Sequence, residues 1–311
     1  MTTDHDRLHT ALVKLSGRIP DATLAAARLR LADTGTTSVP ETDSTIELAF
    51  TFASAMPDPR VFGGRVPPLT DLTGREALMD DTDRAAVAAV AQQPEAVALW
   101  RSWRIAPEWA ASAIPPAPIY VLEANGPQAE TAAAVMRALS AAGIEAPQVD
   151  VYRSGEKLPS YSAAARNSGA LLWMDREAEP VRIARVFDQV DGARAAFTPD
   201  RERLRGAELA QVAAFLDAGS PVLATTARAV DVVEPGRGQV VPMSYRTDGR
   251  WLWTESVTYY LRAYGLAPQP ELLAHIRSRG RLLPAADPAD EHRALSLLFQ
   301  SHAIVPAASA E

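Results

Sequence analysis

The chain has 311 residues, 47% hydrophobic and 22% charged, which suits about two folded domains and excludes disorder along its whole length. A formal net charge of −7 disfavours non-specific nucleic-acid binding, which needs clustered Lys and Arg on phosphates. The absence of cysteine removes disulfides, thiolate catalysis and Cys-ligated metal centres.

Residues 1–105 read as a helical module. Leu8, Leu12, Val13 and Leu15 form a partial stripe that stops near Gly17. Asp21 is placed to cap a second helix carrying Leu24, Ala27, Arg28 and Leu31, which Gly35 ends. A third helix is expected over Glu41–Met56, with Ile46, Phe50 and Ala53 on one face. A long loop follows, marked by Pro57, Pro59, Gly63, Gly64, Pro67 and Pro68, then a fourth helix over Thr82–Arg104 bent near Pro94. The opening MTTDHDRLHTALVKL sets acids ahead of its apolar residues, unlike a secretory signal. No stretch approaches the roughly 20 apolar residues of a membrane span. A cytoplasmic protein with no membrane segment is expected.

The proline-rich 106–118 reads as a junction. Beyond it the pattern changes to short apolar runs alternating with amphipathic helices: strands at Ile119–Glu123, Val149–Tyr152 and Ala170–Met174, helices at Pro127–Ala142 and Ser160–Asn167. This β-α-β-α-β order predicts a parallel sheet. Further on, Arg182–Phe187 fits strand or helix, Glu208–Leu216 a helix, and Pro221–Thr225 and Val230–Val233 strands. The fold class is therefore mixed α/β: a helical module, then an α/β domain over 119–280 with a mixed sheet and flanking helices, and an extension over 281–311 holding one helix near Glu291–His302.

The most specific segment is Met243–Gly265. Asp248-Gly249 suits a two-residue hairpin turn, which sets Thr247 opposite Arg250, Arg246 opposite Trp251 and Ser244 opposite Trp253. Trp251 and Trp253 then share a face with Arg246, where a cation–π contact with Trp251 is expected. A helix bearing Val257, Tyr260, Leu261 and Tyr264 follows, ended by Gly265. Two roles are open for this device. The indoles can form the packing layer between sheet and helix, or Arg246, Trp251, Trp253 and Tyr259 can form a recognition surface, since Trp, Tyr and Arg dominate binding hot spots.

The phrases VVPMSYRTDGRWLWTESVTYYLRAYGLAPQPELLAHI, VDVYRSGEKLPSY and IARVFDQVD resemble an uncharacterised family of actinobacterial proteins, over about Tyr120–Ile276. Some such proteins look similar in setting to immunity proteins of polymorphic toxin systems. The resemblance implies a protein partner and supplies no functional residues.

Catalytic signatures are sparse. The turn after Ile119–Glu123 has only Gly126, and neither a G-x-G-x-x-G nor a G-x-x-x-x-G-K-[ST] loop, so no nucleotide cofactor is expected. His5 and His9 stand four apart beside Asp4 and Asp6 but lack a third ligand, and no H-E-x-x-H occurs, so no metal is expected. Ser160, Ser162, Tyr161 and Lys157 lack the spacing of a Ser/Tyr/Lys site. Asp188 and Asp191 would share a face if helical, and Asp231 could pair with Arg228; these carboxylates are the catalytic candidates. Arg277, Arg279 and Arg281 form a short basic run. The leading expectation is a non-enzymatic protein-binding module, immunity-like or regulatory. The alternative is a hydrolase or transferase with a carboxylate- and arginine-lined cleft.

Overall fold

A computed structural model of the chain describes residues 4–41, 49–56, 66–192 and 194–303. The chain divides into two compact units, 1–178 with 299–311, and 179–298. The division falls at Ala178/Glu179 and not in the proline-rich 106–118. The class is mixed α/β, with helices preceding most of the strands.

The first unit opens with α1 (Asp4–Val13) and α2 (Asp21–Thr34). Gly35 ends α2 with φ 72°, the left-handed conformation that glycine adopts without a Cβ penalty. Asp21 makes no capping bond, because Pro20 holds the cap position. Its carboxylate instead takes two bonds from the Arg104 guanidinium, at 2.8 and 2.7 Å.

The expected third helix is not what its described part shows. Thr51–Ala53 is strand β1, whereas Ile46 and the rest of 42–48 lie outside the described residues. Pro57, Pro59, Gly63 and Gly64 also lie outside them. After Pro67 and Pro68 the chain forms β2 (Thr70–Asp71). The expected fourth helix is two elements. α3 (Asp81–Val90) is capped by the Asp80 carboxylate, which accepts from the Asp83 N–H. Past Pro94 the chain becomes β3 (Ala96–Ile105), the longest strand described. Residues 106–118 lead directly into β4 (Ala117–Ala124), which pairs antiparallel with β3 from Ala96↔Ala124 to Arg104↔Ala117.

Then come α4 (Gln128–Ala141), β5 (Gln148–Tyr152), α5 (Ser160–Asn167) and β6 (Ala170–Met174), close to the expected bounds. The sheet order is β2-β6-β3-β4-β5, with β1 also on β3. β4 and β5 are parallel, as are β2 and β6, and β3 runs against its neighbours. Alternation along the strands separates two faces. Leu99, Tyr120, Leu122, Val149 and Val151 pack against α3 and α4, while Ile119, Val121 and Tyr152 pack against Ala165 of α5.

Two carboxylates buried at this sheet are paired with arginines. Asp150 accepts from Ser16 at 2.7 Å, from Ser162 at 2.6 Å and from Arg28, with both ion-pair side chains almost fully buried. Asp83 takes two bonds from Arg101, at 3.1 and 2.8 Å, and one from the Tyr120 hydroxyl at 3.2 Å. Deleting one partner of such a pair strands the other charge and costs about 3–5 kcal/mol.

The second unit carries β7 (Arg182–Ile183), a short ribbon of β8 (Gln189–Asp191) and β9 (Arg194–Ala196), α6 (Gly206–Ala218), β10 (Ser220–Leu223), β11 (Arg228–Val230), β12 (Gln239–Pro242), β13 (Tyr245–Thr247), β14 (Trp251–Thr254), α7 (Glu255–Tyr264) and α8 (Pro270–Arg279). α9 spans Pro288–Ala303. The main sheet runs β10-β13-β14-β7 and is antiparallel except for the β14–β7 pair. Trp251 and Trp253 enter a core with Phe215 and Leu216 of α6, Val257 and Leu261 of α7, and Leu272 and Ile276 of α8. Leu252 faces the other way, onto Ala294 and Leu298 of α9.

Candidate functional site

The hairpin register differs from the expected one. Thr247 pairs with Leu252, Arg246 with Trp253 and Tyr245 with Thr254. The Asp248 carboxylate causes this: it accepts from the N–H groups of Arg250 at 3.0 Å and Trp251 at 2.7 Å, widening the loop by two residues. Its second oxygen meets His275 Nε2 at 2.5 Å, a pairing with no local sequence signal. A shift of two preserves side-chain direction, so both indoles still project to one side.

That side is the interior. Trp253 is fully buried and Trp251 is 5% exposed. The expected indole contact surface is corrected accordingly: the tryptophans are the packing layer between sheet and helices. The expected Arg246–Trp251 contact is replaced by Arg182, whose guanidinium lies 5.7 Å from the Trp251 ring centroid. Arg246 bonds Glu255 at 2.8 Å and the carbonyls of Asp217 and Gly219 at 3.0 and 2.9 Å. These carbonyls sit at the negative end of α6, where a cation is stabilising.

Tyr259, the fourth expected contact residue, leads to a surface site. It lines a groove of about 460 Å³ with Asp217, Pro242, Glu255, Thr258, Arg262 and Ala263. Arg262 pairs with Asp217, and both are more than two-fifths exposed. The Arg246–Glu255 pair is about one-quarter exposed. The groove thus carries the Arg262–Asp217 pair and the Glu255 carboxylate, itself bonded by Arg246, beside one aromatic ring.

Asp231 holds that ring. It is fully buried and accepts from Tyr259 at 2.8 Å, from the Tyr264 hydroxyl, and from the N–H groups of Val233 and Glu234 at 2.9 and 3.3 Å. Burial alone would raise its pKa, but the bonds from Tyr264, Tyr259 and the two N–H groups outweigh that and hold it below the ordinary carboxylate range. Burial, followed by the hydrogen bond to Asp231, pushes the Tyr259 phenol up. Arg237 lies over both rings, 5.8 and 6.0 Å from their centroids. The expected Asp231–Arg228 pair is not formed: Arg228 bonds the Val240 carbonyl.

The other two candidate acids do not join Asp231 in a site. Asp188 accepts from Thr198 N at 3.0 Å and pairs with Arg201. Asp191 is exposed on β8. The two do not share a helical face, because this segment is a ribbon. A carboxylate whose charged form is held by internal Arg or Tyr donors is poorly placed to take a substrate proton.

The remaining motifs resolve as structural. His5 bonds the Leu31 carbonyl at 3.2 Å, and His9 Nε2 donates to the Val151 carbonyl at 2.9 Å. Among the described residues, no group of three or more His, Cys, Asp or Glu side chains could hold a metal ion. Ser162 serves Asp150, and Tyr161 packs edge-on against Phe52 with centroids 5.1 Å apart. Arg277 pairs with Glu202 and Glu208, which neutralises part of the basic run. No helix among the described residues is long and apolar enough to cross a membrane. No protein-family model matches the chain, and no curated protein or solved structure matches it.

Proposed function

We propose that the chain is a non-enzymatic protein-binding module of the cytoplasm, immunity-like or regulatory, and that its second unit uses the groove beside α7 to hold a charged segment of a partner protein. The observation that carries this reading is the groove itself: the Asp217 and Glu255 carboxylates and the Arg262 guanidinium around the half-buried Tyr259 ring. Exposed ion pairs are worth only about 0–1 kcal/mol each, so a partner's charges can displace them at small cost. Tyr259 supplies rigid contact area, pre-positioned by Asp231.

The enzymatic alternative draws less support, since Asp188 and Asp231 are saturated by internal donors and Asp191 stands apart. Affinity capture from source cells with wild type, Arg262→Glu and Tyr259→Ala tests the proposal. A partner retained by wild type should be lost or weakened at least about tenfold in both variants, matching the loss of a hot-spot residue. Equal recovery by all three correctly folded proteins would overturn it.

A further inference from the structure

The first unit has a cleft of its own, independent of the groove beside α7. It has a volume of about 380 Å³ and opens where β2 and β6 end. β2 leaves the sheet through Leu72, Thr73 and Gly74, and β6 ends at Trp173 and Met174, followed by Arg176 and Glu177. The two strands are parallel neighbours, with Thr70 opposite Ala170 and Asp71 opposite Leu171. The cleft therefore lies outside the carboxyl ends of adjacent parallel strands, the place where open α/β sheets hold ligands.

Its chemistry is specific. Met79, Val87, Leu172 and Met174 make an apolar floor. Trp173 also lines the cleft and is half-buried, packed against the sheet's core. Glu76 and Glu177 line the exposed rim, and among the described residues the one guanidinium lining it, Arg176, is offset by the neighbouring Asp175 at 3.4 Å. The described rim is therefore net negative. An indole and two thioethers beneath such a rim suit a cation on an apolar body: the ring attracts positive charge, and methionine sulfur packs well on aromatic groups. The volume matches small-molecule sites.

We infer that this cleft binds a small organic cation, an amine or quaternary ammonium on an aromatic or aliphatic body. The test titrates the full chain with benzyltrimethylammonium, and with benzoate as the anion of similar size, by calorimetry at low salt. The expected result is saturable binding of the cation alone, weakened about two- to thirtyfold in Trp173→Leu, the span from an exposed to a desolvated cation–π contact. Glu177→Gln and Glu76→Gln alter exposed side chains and leave folding intact, and each should weaken the cation measurably. The inference is overturned by no saturable cation binding, by benzoate binding equally well, or by unchanged affinity in both glutamate variants. None of these outcomes touches the groove of the second unit, which Arg262→Glu and Tyr259→Ala address separately.

Discussion

At the scale of single residues, two buried titratable groups set distinct pH responses. Asp231 is held ionised by four donors, so its folded pKa lies below the unfolded value near 3.9. Its contribution to stability is whole above about pH 4 and is lost as the pH falls from there through the depressed folded value. Asp231→Asn removes the charge from bonds worth about 1.5–3 kcal/mol each when one partner is ionised. A loss of about 2 kcal/mol in urea unfolding at pH 7, shrinking towards pH 3, is expected. His9 behaves differently. Burial, reinforced by the Arg28 charge, lowers its pKa below 6.5, and the neutral ring donates to Val151. The unfolded chain therefore binds this proton more readily, and stability declines as the pH drops below about 6.5. Melting temperatures at pH 7.5 and 5.5 should converge in His9→Gln relative to wild type.

At the scale of elements, the turn between α6 and β10 is tied to the hairpin core. A Cβ on Gly219 would fall within the Trp253 indole and 3.2 Å from the Thr247 carbonyl oxygen. Gly219→Ala should therefore destabilise the second unit by about 1–3 kcal/mol, the usual cost of overpacking. Near-ultraviolet circular dichroism, which reports the packed indoles, would show the accompanying rearrangement. Elements with complete local signals were readable from the chain alone: Gly169 separates the helix α5 (Ser160–Asn167) from the apolar run of β6 (Ala170–Met174). β3 was not, because AVALWRSWRI is rich in good helix formers, and only its pairing with β4, β6 and β1 makes it a strand. The hairpin was half readable. Its faces followed from alternation, whereas its register depended on where the Asp248 side chain found donors. Residues joined through space left no local trace, and so the Asp231 cluster emerged only with the fold, as did the rim of Glu76 and Glu177 more than 100 positions apart.

At the scale of the whole molecule, two compact units with separate cores predict separable unfolding. Asp150→Asn leaves Arg28 partly uncompensated in the first unit, and Trp253→Leu opens space in the second. In scanning calorimetry each should lower a different transition, and one transition lowered equally by both would contradict the division. The position of His9 also has a consequence for solution behaviour. β5 ends the described sheet, and α1 sends an imidazole across to one of its carbonyls. A bare strand at a sheet margin templates the addition of foreign chains. Here the imidazole occupies one carbonyl of that margin, so an added chain would have to displace it to pair at this position.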